Sequence, residues 1–118
     1  NSVLVPLQCE FFALEGLSQL IKTVDRVHKN LNPSLSIDGI ILTMFDKRNK
    51  LSTQVAMDVK KHLQEKVFET MIPRNVRVSE APSFGMPVIV YDRNSKGSQA
   101  YIKLADEILK KTKTREAA

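Results

Sequence analysis

Cysteine is scarce in this 118-residue sequence: Cys9 stands alone, so no disulfide can form within the chain. A single thiol suits a reducing cytoplasm, and a buried, inert side chain is its expected state. Long apolar runs are also absent, since none approaches the roughly 20 residues that a membrane span needs. The first residues carry neither an initiator Met nor the basic region of a signal peptide, which indicates a chain cut from a longer protein.

Familiar catalytic and phosphate-binding motifs are missing as well. No G-x-x-x-x-G-K-[ST] loop occurs, so the sequence offers no backbone cradle for a triphosphate. Ser95-Lys96-Gly97-Ser98 has similar residue types in another order and predicts a helix start instead. His28 and His62 lie in helical patterns beside basic residues, where solvated surface is expected. Nothing has the spacing of a Ser/His/Asp trio or of a Cys/His metal site, so we assign no catalytic residue and no metal ligand.

The composition that remains is that of one globular domain covering residues 1–118. Apolar residues make up 42% and charged residues 26%, which argues against disorder. The formal net charge is +5, and residues 73–118 hold 9 Lys/Arg against 5 Asp/Glu. This excess permits an anionic partner such as nucleic acid, although a basic run near a chain end is usually a solvated helix end. We expect residues 110–118 to form a frayed basic tail.

Helix and strand patterns alternate along the chain. Apolar positions that recur every three to four residues predict three main helices, at 14–31, 51–63 and from about 94 onward. Short apolar runs predict four strands, at 3–5, 37–45, 67–72 and 88–91. The run at 37–45 is nearly unbroken, which is typical of a strand covered on both faces. Residues 74–87, with two prolines and a glycine, predict a loop.

Strands separated by helices of this length imply right-handed crossovers and a mostly parallel sheet. We therefore predict an α/β fold. Four short strands would leave one flank of the sheet uncovered, as expected of half a doubly wound domain.

Three polar loops follow predicted strands, at 6–10, 43–48 and 73–75. Ligands bind outside the carboxyl ends of the strands in open parallel sheets, so these loops predict a binding edge. The alternative is that loops are polar everywhere, and spacing alone does not separate the two interpretations.

Three longer stretches closely resemble the ParA/Soj chromosome-partitioning ATPases: Val5 to Leu17, Leu42 to Asp46 and Ile72 to Gly85. The resemblance keeps a consistent order along nearly the whole chain. It implies the C-terminal half of a doubly wound, deviant-Walker P-loop NTPase domain. In such families the phosphate loop, the magnesium-binding aspartates and the Walker B strand lie in the other half. We therefore predict that these 118 residues alone neither hydrolyse ATP nor bind it tightly.

The resemblance also implies a function for the parent protein, in chromosome or plasmid partitioning. The parent would bind ATP and Mg²⁺, form a homodimer around the nucleotide and bind DNA without sequence preference. A ParB-like partner would stimulate hydrolysis and release the DNA. This implies a cytoplasmic, nucleoid-associated bacterial protein without membrane attachment.

Site residues follow from the resemblance position by position. The wall around the adenine base would comprise Thr43, Met44, Pro73, Arg74 and Asn75. Gln8 and Glu10 would lie near the nucleotide and the dimer interface. The DNA contacts would be Arg48 and Arg77, with Lys47 and Lys50 assisting.

Plainer interpretations stay open for these residues. Pro73 and Asn75 would merely turn the chain, and Glu10 would only start a helix. The two arginines would form local surface salt bridges, Arg48 with Asp46 and Arg77 with Glu80, which contribute little. For the chain as a whole, the alternatives are a stand-alone, ATP-independent module that binds DNA or protein, and a truncated paralogue with a structural role.

Overall fold

The computed structural model describes residues 2–117. In chain order, their strands and α-helices are β1 (Ser2–Gln8), α1 (Ala13–Asn30), β2 (Ser36–Thr43), α2 (Lys50–Leu63), α3 (Val76–Glu80), α4 (Val88–Tyr91) and α5 (Lys96–Ala117). Short 3-10 turns occupy Gln64–Lys66 and Ala81–Phe84. The three helices predicted from apolar periodicity are confirmed as α1, α2 and α5, and the predicted α/β class is confirmed too.

The sheet is parallel and has β2 at its centre. β1 pairs with β2 in a register that runs from Ser2 opposite Ser36 to Gln8 opposite Thr43. On the other side of β2, residues 67–73 form a third parallel segment: the Phe68 N–H donates to the Ile40 carbonyl over 2.9 Å. This segment is bridged at its two ends and irregular between them.

Side chains of β2 point alternately into two apolar layers. Ile40 and Leu42 are fully buried against α1 and α2 on one face, whereas Ile41 packs with Phe68 and Leu104 on the other face. Both faces are therefore covered, as the unbroken apolar run predicts.

Two predictions of local structure are wrong, one for a strand and one for a loop. Residues 88–91 form the helical turn α4, and the predicted loop 74–87 contains α3 and a 3-10 turn. The β-branched run Val88-Ile89-Val90 is typical of a strand. However, it follows Pro87 and contacts α5 and the preceding turns rather than a neighbouring strand, so no ladder holds it extended. Within residues 2–117 the sheet therefore has two full strands and one bridged segment, not four strands.

Helix α5 is fixed at its beginning and near its middle. The Ser95 hydroxyl accepts from the Ser98 N–H over 3.1 Å, which confirms the predicted helix start. A Cβ on the buried Gly97 would overlap Val78, so α5 packs closely on α3 there. Farther along, the Glu107 carboxylate accepts from the N–H groups of Glu69 and Thr70 over 2.8 and 2.9 Å, linking α5 to the third parallel segment.

The predicted basic tail, residues 110–118, coincides with the end of α5. The helix runs to Ala117, so residues 110–117 are helical, while Ala118 lies outside the described residues. Fraying of this end stays a prediction. Among the described helices, none combines the length and hydropathy that a bilayer crossing requires.

Candidate functional site at the carboxyl edge of the sheet

Hydrogen bonds join the three predicted polar segments into one surface, here called the carboxyl edge (residues 6–10, 43–48 and 73–75). The first segment is only partly a loop, because β1 continues to Gln8 and the predicted strand end at Val5 is wrong. The Cys9 N–H donates to the Thr43 carbonyl over 3.1 Å, which holds the first loop to the second. The Phe45 N–H donates to Ile72, and the Arg74 N–H donates to Phe45 over 2.9 Å, which holds the second loop to the third. The predicted convergence of these loops is therefore observed.

The adenine-wall candidates sit where the second and third loops meet. Thr43 ends β2, and Met44 follows with a φ of 55°, in the left-handed region that a non-glycine residue seldom adopts. This bend lets Phe45 pair with Pro73 in a parallel bridge. Strained backbone of this kind concentrates at functional sites, so Met44 is a reason to look for a ligand here.

Asn75 has one half of its amide occupied. Its Oδ1 accepts from the N–H groups of Arg77 and Val78, so it is the N-cap of α3. In the hydrogen bonds of residues 2–117 its Nδ2 takes no part, and neither does the Pro73 carbonyl. One free donor and one free acceptor thus flank the bend at Met44.

Gln8 and Glu10 lie at the outer end of the carboxyl edge. Both are exposed, and the Glu10 carbonyl accepts from the Ala13 N–H over 3.0 Å where α1 begins. Glu10 therefore does contribute to the start of α1, through its backbone carbonyl. Beside it, Phe11 and Phe12 are 73% and 69% exposed and touch edge to face. An exposed aromatic pair at this position suits a covered interface better than open solvent.

Cys9 is buried at the base of the same edge, as expected. Burial raises the pKa of its thiol, although a hydrogen bond with Ser52 and the charge of Lys60 act in the opposite direction. A raised pKa disfavours the thiolate, so Cys9 is a packing residue and not a nucleophile.

The Arg48 loop (residues 46–50) carries three cations and one carboxylate. The Asp46 Oδ1 accepts from the Arg48 N–H at 3.0 Å and from its Nε at 3.2 Å. The backbone bond is the main cause that lowers the pKa of Asp46, followed by the side-chain bond. The Arg48 side chain is nevertheless 88% exposed, and within the described residues neither Lys47 nor Lys50 joins an ion pair.

Arg77 belongs to a tighter cluster, here called the Arg77 network (Arg77, Glu80, Tyr91 and Asp92). Its Nη1 lies 3.0 Å from Glu80 and its Nε 3.3 Å from Asp92. The Tyr91 hydroxyl donates to Glu80 over 2.6 Å, and this bond is the main cause that lowers the pKa of Glu80. The network thus ties α3 to α4 and to the residue that follows it.

Both local salt bridges foreseen from the sequence therefore form, but sequence reasoning missed Tyr91 and Asp92. These two lie more than ten residues from Arg77, beyond the reach of helical spacing. The N-cap role of Asn75 does have a local signal, because Asn directly before a short helical segment is a favoured helix start.

Histidines and carboxylates offer no further site. His28 and His62 are exposed, as expected, and the Nδ1 atoms lie 2.9 and 2.7 Å from the carbonyls of Leu35 and Asp58. Within residues 2–117 no group of three or more His, Cys, Asp or Glu side chains is placed to hold a metal ion.

Comparison with known proteins identifies relatives. A family model described as an AAA domain matches residues 1–37. The chain is 60% identical over 117 residues to the chromosome partitioning protein ParA of Caulobacter vibrioides, which covers 99% of this chain and 44% of that protein. It is 55% identical over 108 residues to the sporulation initiation inhibitor protein Soj of Bacillus subtilis, covering 92% of this chain and 43% of that one.

A solved structure agrees with these sequence matches. Cobyrinic acid a,c-diamide synthase from Mycobacterium smegmatis, with bound ADP and magnesium, superposes with a TM-score of 0.68 at 32% identity. The match covers 95% of this chain and 38% of that protein. This agrees with part of a P-loop NTPase-like α/β fold, and the chain spans 39–44% of the length of the first curated relatives it matches. On these matches the chain is identified as a member of the ParA/Soj family of chromosome-partitioning proteins.

Proposed function

We propose that the intact protein containing this chain is a partitioning ATPase, and that this chain supplies adenine recognition, dimer surface and DNA affinity. The observation that carries the proposal is the joining of three polar loops at the carboxyl edge, in a chain 53–60% identical to proteins named ParA or Soj. A parallel α/β sheet presents its ligand at this edge.

The adenine wall has the chemistry that the base requires. The free Asn75 Nδ2 is a donor for a ring nitrogen, and the free Pro73 carbonyl is an acceptor for the exocyclic amine. Near this pair, the Thr43 carbonyl and the Arg74 N–H take part in the backbone bonds described above, and Met44 forms the left-handed bend after Thr43. Support comes from the structural relative, which was solved with bound ADP and magnesium. We assign no Mg²⁺ ligand to this chain, because its described residues form no carboxylate cluster for one.

Dimerisation of the intact protein is the second part of the proposal. Gln8 and Glu10 stand at the outer end of the carboxyl edge, next to the exposed pair Phe11 and Phe12. Two copies that face each other across a nucleotide would bury this pair. Burial of apolar surface favours association, whereas Gln8 and Glu10 would supply polar contacts at its rim.

DNA binding is the third part. Arg48 is an exposed fork with Lys47 and Lys50 beside it, and Arg77 still has three guanidinium N–H groups beyond those that engage Glu80 and Asp92. Such groups contact phosphate oxygens without reading bases, so the binding would be independent of sequence. We further propose a ParB-like protein as the partner that stimulates ATP hydrolysis, and association of the intact protein with the nucleoid.

The adenine wall is tested with Asn75→Asp in the intact protein. The variant keeps the oxygen that caps α3 but replaces the free amide donor with a carboxylate, so affinity for a fluorescent ATP analogue should fall about tenfold. Asn49→Asp is the matched control, because Asn49 caps α2 through the equivalent bond, to the Leu51 N–H, and is not one of the adenine-wall residues. Equal affinities in both variants and the unsubstituted protein would contradict the wall.

The DNA surface is tested with Arg77→Glu, which should abolish retention on DNA while ATP binding persists. Unchanged DNA affinity with an unchanged dependence on salt would overturn this assignment.

The isolated 118 residues should show no ATP turnover, because they contain no phosphate-binding loop; measurable turnover would refute that expectation.

A further inference from the structure

We propose that the side chain of Arg74 is an additional DNA-phosphate contact beside the Arg48 loop, while its backbone stays in the adenine wall. The inference rests on the proposed DNA binding and extends its surface by one residue. The observation that carries it is an exposed guanidinium, held next to the Arg48 loop, that joins no ion pair within residues 2–117.

Backbone bonding fixes where Arg74 stands. Its N–H donates to the Phe45 carbonyl over 2.9 Å, and Phe45 is the residue directly before Asp46. The bridge between Phe45 and Pro73 holds the same junction from the other side. Since a substitution other than proline keeps the N–H, replacing Arg74 tests its side chain without breaking the carboxyl edge.

Charge at this junction is unbalanced. Asp46 is the carboxylate of the Arg48 loop, and its Oδ1 is already engaged by Arg48. The Arg48 bonds lower the pKa of Asp46 most, and the charge of Arg74 adds a smaller lowering, so the Arg74 guanidinium lies within electrostatic reach. Arg48 and Arg74 thus act on one carboxylate, and Lys47 next to it in sequence joins no ion pair among the described residues, which leaves a local excess of positive charge for an anion to neutralise.

The anion that fits is the backbone of duplex DNA. The cations stand on exposed side chains of two loops, spread over an open surface, as phosphates are spread along a duplex. The phosphates of a free nucleotide are held instead by a cradle of backbone N–H groups, which this sequence lacks. Arg77 differs from Arg74, because Glu80 and Asp92 already offset its charge.

The test measures DNA affinity of the intact protein between about 50 and 200 mM salt, for the unsubstituted protein and three variants. Loss of one phosphate contact lowers the salt slope by about 0.9, so Arg74→Ala should make the affinity loss over this range about threefold smaller. Arg74→Lys should retain the slope, because the charge is kept. Arg26→Ala, an exposed arginine on α1 with no ion pair among the described residues, is the matched control and should change nothing.

Each outcome is informative. A slope unchanged in Arg74→Ala overturns the inference alone, provided that the unsubstituted protein binds DNA. A loss of ATP-analogue affinity in Arg74→Ala without any change in the DNA slope assigns the side chain to the nucleotide and also overturns it. Absence of DNA binding in the unsubstituted protein overturns both this inference and the proposed DNA surface.

Discussion

The Arg48 loop and the Arg77 network present the same side chain in two electrostatic settings. Arg48 is 88% exposed and bonds a neighbour two residues away, whereas Arg77 is 52% exposed and is held by two carboxylates, one of them 15 positions along the chain. An exposed cation with one local partner gives long-range attraction but loses rotamer entropy on binding. A held cation loses less, and its partners reduce the field that it projects. The first therefore favours attraction of DNA, and the second favours orientation.

Beyond the loss of DNA retention expected for Arg77→Glu, the largest effect is expected at the Arg48 loop. Arg48→Glu removes a phosphate contact and adds a repulsive charge on an open surface, so DNA affinity should fall by at least about tenfold at low salt. Thermal stability should stay unchanged, because no tertiary contact is lost. The measurement is a DNA titration paired with a melting curve, with Arg26→Glu as control. A lowered melting point would mean that Arg48 is structural, which would erase the contrast.

A second test compares two adjacent residues of α5. It asks whether a carboxylate bonded to a distant part of the chain contributes more to the free energy of unfolding than one paired within its own helix. Glu107→Ala leaves the N–H groups of Glu69 and Thr70 without their acceptor and should cost about 2 kcal/mol of unfolding free energy. Asp106 makes only an exposed bond to Lys110 one turn away, so Asp106→Ala should change stability by less than about 0.5 kcal/mol. Denaturant unfolding of the intact protein measures both, and equal effects would contradict the distinction.

A third test addresses the Arg77 network directly. Arg77→Ala removes the cation between Glu80 and Asp92, so amide hydrogen exchange in α4 should speed up and the melting point should fall by a few degrees. In contrast, Arg48→Ala should leave amide hydrogen exchange in the Arg48 loop unchanged. Equal protection of α4 with and without Arg77 would show that the remaining contacts hold this region, namely the Tyr91–Glu80 hydrogen bond and the stacking of Phe84 on Tyr91.

The smallest effect is a shift in one titration. The pKa of Glu80 is lowered mainly by the Tyr91 hydroxyl and next by Arg77, so Tyr91→Phe should raise it toward the ordinary value while Asp46 stays unaffected. A lowered folded pKa stabilises the protein above the unfolded value, about 4.3, and that contribution disappears as the pH falls through the folded pKa. NMR titration of the Glu80 carboxyl measures the shift; no change would exclude Tyr91 as its cause.

Much of the fold is predictable because its signals are local. Apolar periodicity is enough for α1, α2 and α5, and an unbroken apolar run is enough for a strand with two covered faces. The run Val88-Ile89-Val90 misleads because β propensity reports how a side chain fits a sheet, and no strand lies beside this run. The sequence predicts the third parallel segment as a strand, but it does not predict that the segment is irregular between its two bridges.

The candidate site divides in the same way. Loops that follow predicted strands are enough to place Thr43, Pro73 and Gln8 at one edge. The left-handed bend at Met44 and the partners of Arg77 depend on contacts that no spacing rule reaches. Arg74 shows the remaining difficulty, since no sequence pattern indicates that its N–H donates to Phe45 while its exposed guanidinium joins no ion pair among the described residues.

Gly97 has a consequence for genetics. A side chain at this position would overlap Val78 and crowd the Asn75 oxygen that caps α3, so Gly97→Ala presses on the junction from which both the adenine wall and the Arg77 network extend. Such a variant is expected to melt at a lower temperature than the unsubstituted protein, because α3 or α5 must move to relieve the overlap. It would serve as a temperature-sensitive variant that leaves every residue of the proposed adenine wall and DNA surface in place.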